Sequence, residues 1–281
     1  MNHQQTKHRV EFINGVPRVW VDGYGNRFPE GLEVPRLLAN GDSNTKTRKN
    51  VGYLSCGLSM SPHKSVGIGN VCTDASRGCV AGCLNEQGLA SVFETIGHAR
   101  KARTVLWYLA REWFLETITT DLERWQRKAK RKGQELCARL NMFSDIPWER
   151  YGIPQRFEDV RFYDYTKHPR RTGAILPNYW VTFSRSETNE KHALEVLRRG
   201  DNVAAVFHDP NGKFVGNRSA GQRLPKSWRG FPVIDGDITD LRFEDDRGQT
   251  RGRVVGLRLK AHDNATRANI IKSGFSIQVT R

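Results

Sequence analysis

Five apolar runs in the second half of the chain end in polar, reactive side chains, and three cysteines crowd one loop ahead of them. The runs are Cys137–Asp145, Val160–Lys167, Tyr179–Ser186, Val203–Asp209 and Phe231–Asp237. Asp145, Asp164, Asp209, Asp235 and Asp237 stand at or near their ends. Two carboxylates facing one pocket can divide the labour of glycosyl transfer, one attacking an anomeric carbon and the other moving protons. Asp145 is the nucleophile candidate, because it follows an apolar run and precedes Ile146-Pro147-Trp148, a wall that would exclude water. Asp164 and Asp235 are the candidate acid/base partners. The plainer account of any one aspartate after a strand is a turn former or helix N-cap. It is the set of five that argues for chemistry.

The cysteines carry the most specific local spacing. Six residues separate Cys72 from Cys79 and three separate Cys79 from Cys83. Thiolates so placed in a glycine-containing loop can converge on one zinc ion or one iron–sulfur cluster. Cys56, at the end of a neighbouring strand, is a candidate fourth ligand, with His63 or His98 as substitutes. Arg77 and a helix starting beyond Cys83 would lower the thiol pKa values. Three unrelated, partly buried thiols are the plainer alternative.

Further side chains suit substrate binding. Asn141 lies in the first run. Tyr163 and Tyr165 alternate onto one side of the second, where they can stack a base, with Lys167 beside them to hold a phosphate. Arg185, in Ser184-Arg-Ser-Glu187, offers a clamp for phosphate or carboxylate. A core strand and a solvated loop are the competing accounts.

Such tips need a frame. Short strands whose carboxyl ends converge on one rim are how parallel α/β sheets and barrels build active sites. Residues 1–34 read as a β-ribbon extension with turns at Asn14-Gly15 and Asp22-Gly23. Residues 35–281 read as one catalytic domain. In it a strand at Val51–Leu58 leads into the cysteine loop, and helix follows from roughly Leu89 to Lys132, with Gly133 as its cap. Asn189–Arg199 is a helix between two strands, as a βαβ unit requires, and strands are expected at Arg253–Lys260 and Gly274–Thr280. The expected fold is α/β, a distorted or incomplete TIM-like β/α barrel with a cysteine-containing loop.

Forty-five Lys and Arg against thirty Asp and Glu give a net charge of +15. A surface this positive attracts polyanions, nucleic acid above all. Arg124–Lys132 places six cations in nine residues at a helix end, and with Lys46, Arg48 and Lys49 they suffice to line a groove for a phosphate backbone. No apolar core segment opens the chain and no run of eighteen apolar residues occurs, so neither a signal peptide nor a membrane span is expected. Five cysteines without an evident pairing scheme suit the cytoplasm, the host's if the chain is phage-encoded.

Gly57–Pro62, the cysteine triplet, Arg139–Trp148, Phe162–Lys167 and Val233–Asp237 together resemble a family of phage and prophage proteins called gene product 88-like, over roughly residues 35–275. The chain also looks like the phage relatives of tRNA-guanine transglycosylases, which exchange guanine in DNA for a 7-deazaguanine base. That resemblance implies a barrel, a carboxylate nucleophile on C1′ and a second carboxylate as general acid/base, roles that Asp145 with Asp164 or Asp235 would fill. The tRNA enzymes' CxCxxC zinc pattern is not matched, since the cysteines here precede the strands and are spaced differently.

The leading expectation is therefore a DNA-modifying transglycosylase that flips out a base and exchanges it through a covalent glycosyl intermediate, with a 7-deazaguanine-type base as small-molecule substrate. One alternative is an iron–sulfur, radical-type enzyme acting on nucleic acid. Another is a non-enzymatic basic DNA-binding phage protein with a structural zinc.

Overall fold

The computed structural model describes residues 8–22, 30–41, 52–83, 94–212, 222–245, 251–261 and 263–280. The expected basic loop with Lys46, Arg48 and Lys49, the second ribbon turn at Gly23 and the helix start directly beyond Cys83 lie outside them.

The ribbon forms where the sequence asks for it. Strands β1 (Arg9–Ile13) and β2 (Val16–Trp20) pair antiparallel with Ile13 opposite Val16. Asn14 and Gly15 both take positive φ, 51° and 76°, the turn whose twist matches the flanking strands. β3 (Leu32–Glu33) adds a short third strand. Val19 and Val21 are buried in the same core as the main sheet, so the ribbon is packed on the rest of the chain.

The main sheet has eleven strands. They are β4 (Leu38–Asn40), β5 (Tyr53–Leu58), β6 (Glu135–Arg139), β7 (Arg161–Thr166), β8 (Gly173–Leu176), β9 (Tyr179–Ser184), β10 (Val203–His208), β11 (Ser227–Trp228), β12 (Phe231–Asp235), β13 (Val254–Arg258) and β14 (Ile277–Gln278). The strands β5, β6, β7, β9, β10, β13 and β12 run parallel in that spatial order. β4, β8 and β11 pair antiparallel with their neighbours. Burial along β9 and β10 is almost continuous, as expected of parallel strands covered on both faces.

One face carries the helices. Helix α1 (Arg77–Ala81) is a single short turn in the cysteine loop. α2 (Glu94–Leu109) and α3 (Arg111–Arg131) break at Ala110, where φ is −141°, so the expected single helical region is two helices. Phe114, Ile118, Leu122, Trp125 and Ala129 line the buried stripe of α3, the spacing of a helix with one apolar face. They share a core with Leu54, Leu136, Ala138, Phe162 and Val181 of the sheet. α4 (Ile153–Arg156), α5 (Glu190–Arg199) and α6 (Asn264–Ser273) complete the set.

The opposite face is plugged at one end. Leu241 and Phe243, beyond β12, pack on Cys137, Tyr163, Tyr53 and Trp180. The Phe243 ring stands 5.3 Å from Tyr53, 5.8 Å from Tyr163 and 5.7 Å from Trp180. The chain thus folds back over its own sheet without closing it. No pairing joins β11 or β12 to β4 or β5 among the described residues, so a closed TIM-type barrel is not formed.

The sheet also splits at its carboxyl end. β9 pairs with β10 only at Val203 and Ala204. Farther along, Phe207 and His208 pair with β14 instead, while Phe207 still faces Arg258 of β13 on the other side. β14 therefore sits as a wedge where β9 has diverged. The expected strands at Arg253–Lys260 and Gly274–Thr280 are shorter, because Asn264–Ser273 coils into α6 between them.

Candidate active site

A cavity of about 350 Å³ lies over the carboxyl ends of the parallel strands. Residues following β5, β6, β7, β9, β12 and β13 all reach it, so the strand tips do converge.

Asn141 organises the turn after β6. Its side-chain oxygen accepts from Ile146 N at 2.9 Å, Ser144 Oγ at 2.8 Å and Trp148 Nε1 at 3.1 Å. Its Nδ2 donates to Ile146 O at 2.9 Å and Asp164 at 3.2 Å. The amide touches the cavity wall but its bonding capacity is consumed by the loop, so the expected substrate ligand acts as a clasp. Trp148, expected to wall the pocket, is fully buried 5.3 Å from Trp107.

That clasp turns Asp145 into the cavity. Its Oδ2 accepts from Lys167 N at 2.8 Å and Thr166 Oγ1 at 3.1 Å, and its Oδ1 from Arg171 at 3.1 Å. Burial pushes its carboxyl above the ordinary value in spite of these donors.

Asp164 goes elsewhere. It shares a strand face with Phe162, toward the helices, and alternation sends Tyr163 and Tyr165 the other way. Its carboxylate accepts from Asn141 N at 2.7 Å and the Tyr179 hydroxyl at 2.8 Å. It is 1% exposed and does not line the cavity. Asp145 and Asp164 are therefore not side by side on the rim. Of the two tyrosines, Tyr165 lines the cavity under the Arg139 guanidinium, 4.7 Å from its ring, whereas Tyr163 is covered by Phe243. Asp235 is held by both terminal nitrogens of Arg258 at 2.8 Å and lies outside the cavity wall. Asp237 lines it, bonded to Arg258 and 3.4 Å from Lys260. Asp209 pairs with Arg223 at 2.9 Å, away from the cavity.

Lys167 and Arg185 both line the wall. Arg185 donates to the carbonyls of Gly274 and Phe275 at 2.7 and 2.9 Å and to Glu190 at 3.2 Å, which anchors the wedge strand. Lys167 Nζ rests on Ser184, 3.1 Å from Oγ and 3.4 Å from the carbonyl oxygen.

The cysteine loop closes one side. Cys72, Cys79 and Cys83 all line the cavity. Cys72 Sγ donates to Phe143 O at 3.0 Å. Burial pushes that thiol up to about 12, helped by the neighbouring Cys83, Cys79 and Asp145, so the expected lowering is reversed at Cys72. Ser76 caps α1 through Cys79 N. The Glu187 carboxylate accepts from Gly78 N and Ser76 Oγ, each at 2.8 Å. Cys56 points with Leu54 and Leu58 into the helix-side core, so it is not a fourth thiol on this cavity. His63 lines the wall with φ +40°, while His98 is buried on α2 away from it. No three His, Cys, Asp or Glu side chains among the described residues stand close enough to enclose a single ion.

The roles of Glu187 and Arg171 were not read from the sequence. Glu187 follows a strand tip, the one available signal. Arg171 sits in a basic turn with nothing to distinguish it from Arg170.

Fold and site define an α/β protein with a thiol-lined cavity at the carboxyl ends of an open, mostly parallel sheet. The chain belongs to the Gene product 88 family, a phage gene-product family whose model matches residues 36–277. No curated protein and no solved structure matches it.

Proposed function

We propose that this cavity is the active site of an iron–sulfur enzyme that acts on nucleic acid, with Cys72, Cys79 and Cys83 as the protein ligands. The observation that carries the reading is the placement of all three thiols of one loop on a cavity walled by strand tips. They are spread along the wall and not clustered around one point, which suits a polynuclear cluster better than a single zinc. A bound cluster would supply one-electron chemistry. The protein's own part is to hold the thiols on a capped helical turn, to bury Cys72 against Phe143 and to line the remaining wall with Tyr165, Lys167 and Met142. The sheet is best understood as an incomplete β/α barrel whose closure is replaced by the Leu241–Phe243 plug. The net charge of +15 supports a polyanionic partner, and no helix among the described residues is long and apolar enough to cross a membrane.

The test is anaerobic reconstitution with iron and sulfide, read by metal analysis and visible absorption. The reading expects iron and sulfide to bind, with loss in Cys72→Ala, Cys79→Ala and Cys83→Ala and retention in Cys56→Ala. Zinc alone, or iron that survives all three substitutions, would overturn it. Salt-dependent binding of DNA, measured by fluorescence anisotropy, tests the partner.

A second reading, base exchange in DNA, is favoured by one observation: Asp145 and Asp237 both face the cavity. Asp237 would then take the acid/base role assigned from sequence to Asp164 or Asp235. Incorporation of a labelled 7-deazaguanine base into DNA, abolished in Asp145→Asn, would establish it over the iron–sulfur reading.

A further inference from the structure

We infer that Lys167, seated on Ser184, binds the carboxylate of a small amino-acid-bearing co-substrate that completes the cluster's coordination. This rests on the iron–sulfur reading and deepens it.

The first argument is a ligand count. A four-iron cluster takes four thiolates, and the cavity offers three among the described residues. Cys56 lies in the core on the helix side and Cys137 lies beneath Tyr163 and Leu241. One metal position therefore lacks a cysteine and faces the open cavity, where adjacent nitrogen and oxygen donors of a small molecule can reach it.

The second argument is charge. Four other cations line the cavity, and each has a carboxylate partner. Arg139 holds Asp240 at 3.0 Å, Arg185 holds Glu190 at 3.2 Å, Arg258 holds Asp235 at 2.8 Å and Lys260 holds Asp237 at 3.4 Å. Lys167 alone among them is seated on neutral oxygens, with Phe275 packed 5.7 Å from its nitrogen. A buried-side cation without a counter-ion is a place for one anionic group of a ligand.

The third argument is shape. Ala204, Val206, Leu257 and Phe275 make one apolar wall of the same cavity. Its volume of about 350 Å³ admits a molecule of nucleoside size. An α-amino carboxylate joined to a nucleoside presents the required parts: an anion for Lys167, an amine and carboxylate for the metal, and a flat body for the apolar wall.

S-Adenosylmethionine is a suitable probe. The reconstituted protein is titrated with it, and binding is read by equilibrium dialysis and by the change in the reduced cluster's electron paramagnetic resonance spectrum. Wild type should bind and change its spectrum. Lys167→Met should weaken binding about tenfold or more, the loss of a charge-assisted contact, with iron content unchanged. Ser184→Ala should weaken it less. Full iron content with no binding, or binding unaffected by Lys167→Met, would sink this inference alone. Absence of iron would sink the cluster reading and this inference with it.

Discussion

The Tyr179 hydroxyl donates to the Asp164 carboxylate across 2.8 Å on the helix side of the sheet, with neither group reaching the cavity. Burial pushes the Asp164 carboxyl up to about 7 although Asn141 and Tyr179 donate to it. The unfolded chain releases that proton near the ordinary value of about 4. The folded state thus binds the proton more tightly, so stability is highest below about pH 4 and falls as pH rises toward 7. The fall from this group reaches ~4 kcal/mol at most. Urea midpoints measured from pH 4 to 8 should show this slope, and Asp164→Asn should flatten it. Asp164→Ala, which strands the Asn141 and Tyr179 donors, should cost about 3 kcal/mol.

Gly78 has no room for a side chain. A Cβ there would stand 2.6 Å from Ser273 Oγ, 2.7 Å from Glu187 Oε2 and 2.7 Å from Phe275 Cβ. Gly78→Ala should destabilise the protein by about 1–3 kcal/mol and displace α1, with a drop in iron bound after reconstitution. Glu187→Ala, which removes the acceptor for Gly78 N and Ser76 Oγ, should produce the same drop with a smaller stability loss. Hydrogen exchange across residues 76–82 reports the loosening directly.

Arg171 clamps two acids at once. It pairs with Glu149 through two nitrogens at 2.7 and 2.9 Å and with Asp145 at 3.1 Å. Arg171→Met leaves both carboxylates partly buried and unmatched, and should cost about 3 kcal/mol in denaturant unfolding. Arg171→Lys should recover only part of this, because an ammonium cannot reproduce the two-pronged contact.

Phe243 should be costly to truncate although it lies far from the cysteines. Phe243→Ala empties the space between Tyr53, Tyr163 and Trp180, a loss of about 3–5 kcal/mol. Water entering there should shift Trp180 fluorescence to longer wavelength, while iron binding by the cysteines stays unchanged.

The strand tips were legible because apolar runs ending in polar groups can hardly form anything else in a chain of this size. All five runs became β6, β7, β9, β10 and β12. What a tip does was harder to read. Asp164 lies between Tyr163 and Tyr165, so period-two alternation already forbids all three from facing one cavity. The pairing of Asp145 with Asp164 overlooked that parity, and Cys56, level with Leu54 and Leu58, fell to the same rule. The openness of the sheet has no local signal at all. It follows from the chain doubling back at Leu241–Phe243 and from β14 entering beside β10, contacts between segments far apart in sequence. The second anchor of the cysteine loop, Glu187, is 109 residues from Gly78, beyond the reach of any spacing argument.

The wedge strand sets an order on biosynthesis. Phe275 walls the cavity, the carbonyls of Gly274 and Phe275 receive Arg185, and α6 packs beside α1. Until residues 264–279 have emerged from the ribosome, the turn bearing Cys79 has no floor to rest on. A nascent chain that has already paired β5 through β10 would hold its thiols on a loose loop, so metal loading belongs to the last moments of folding, after translation has passed β14.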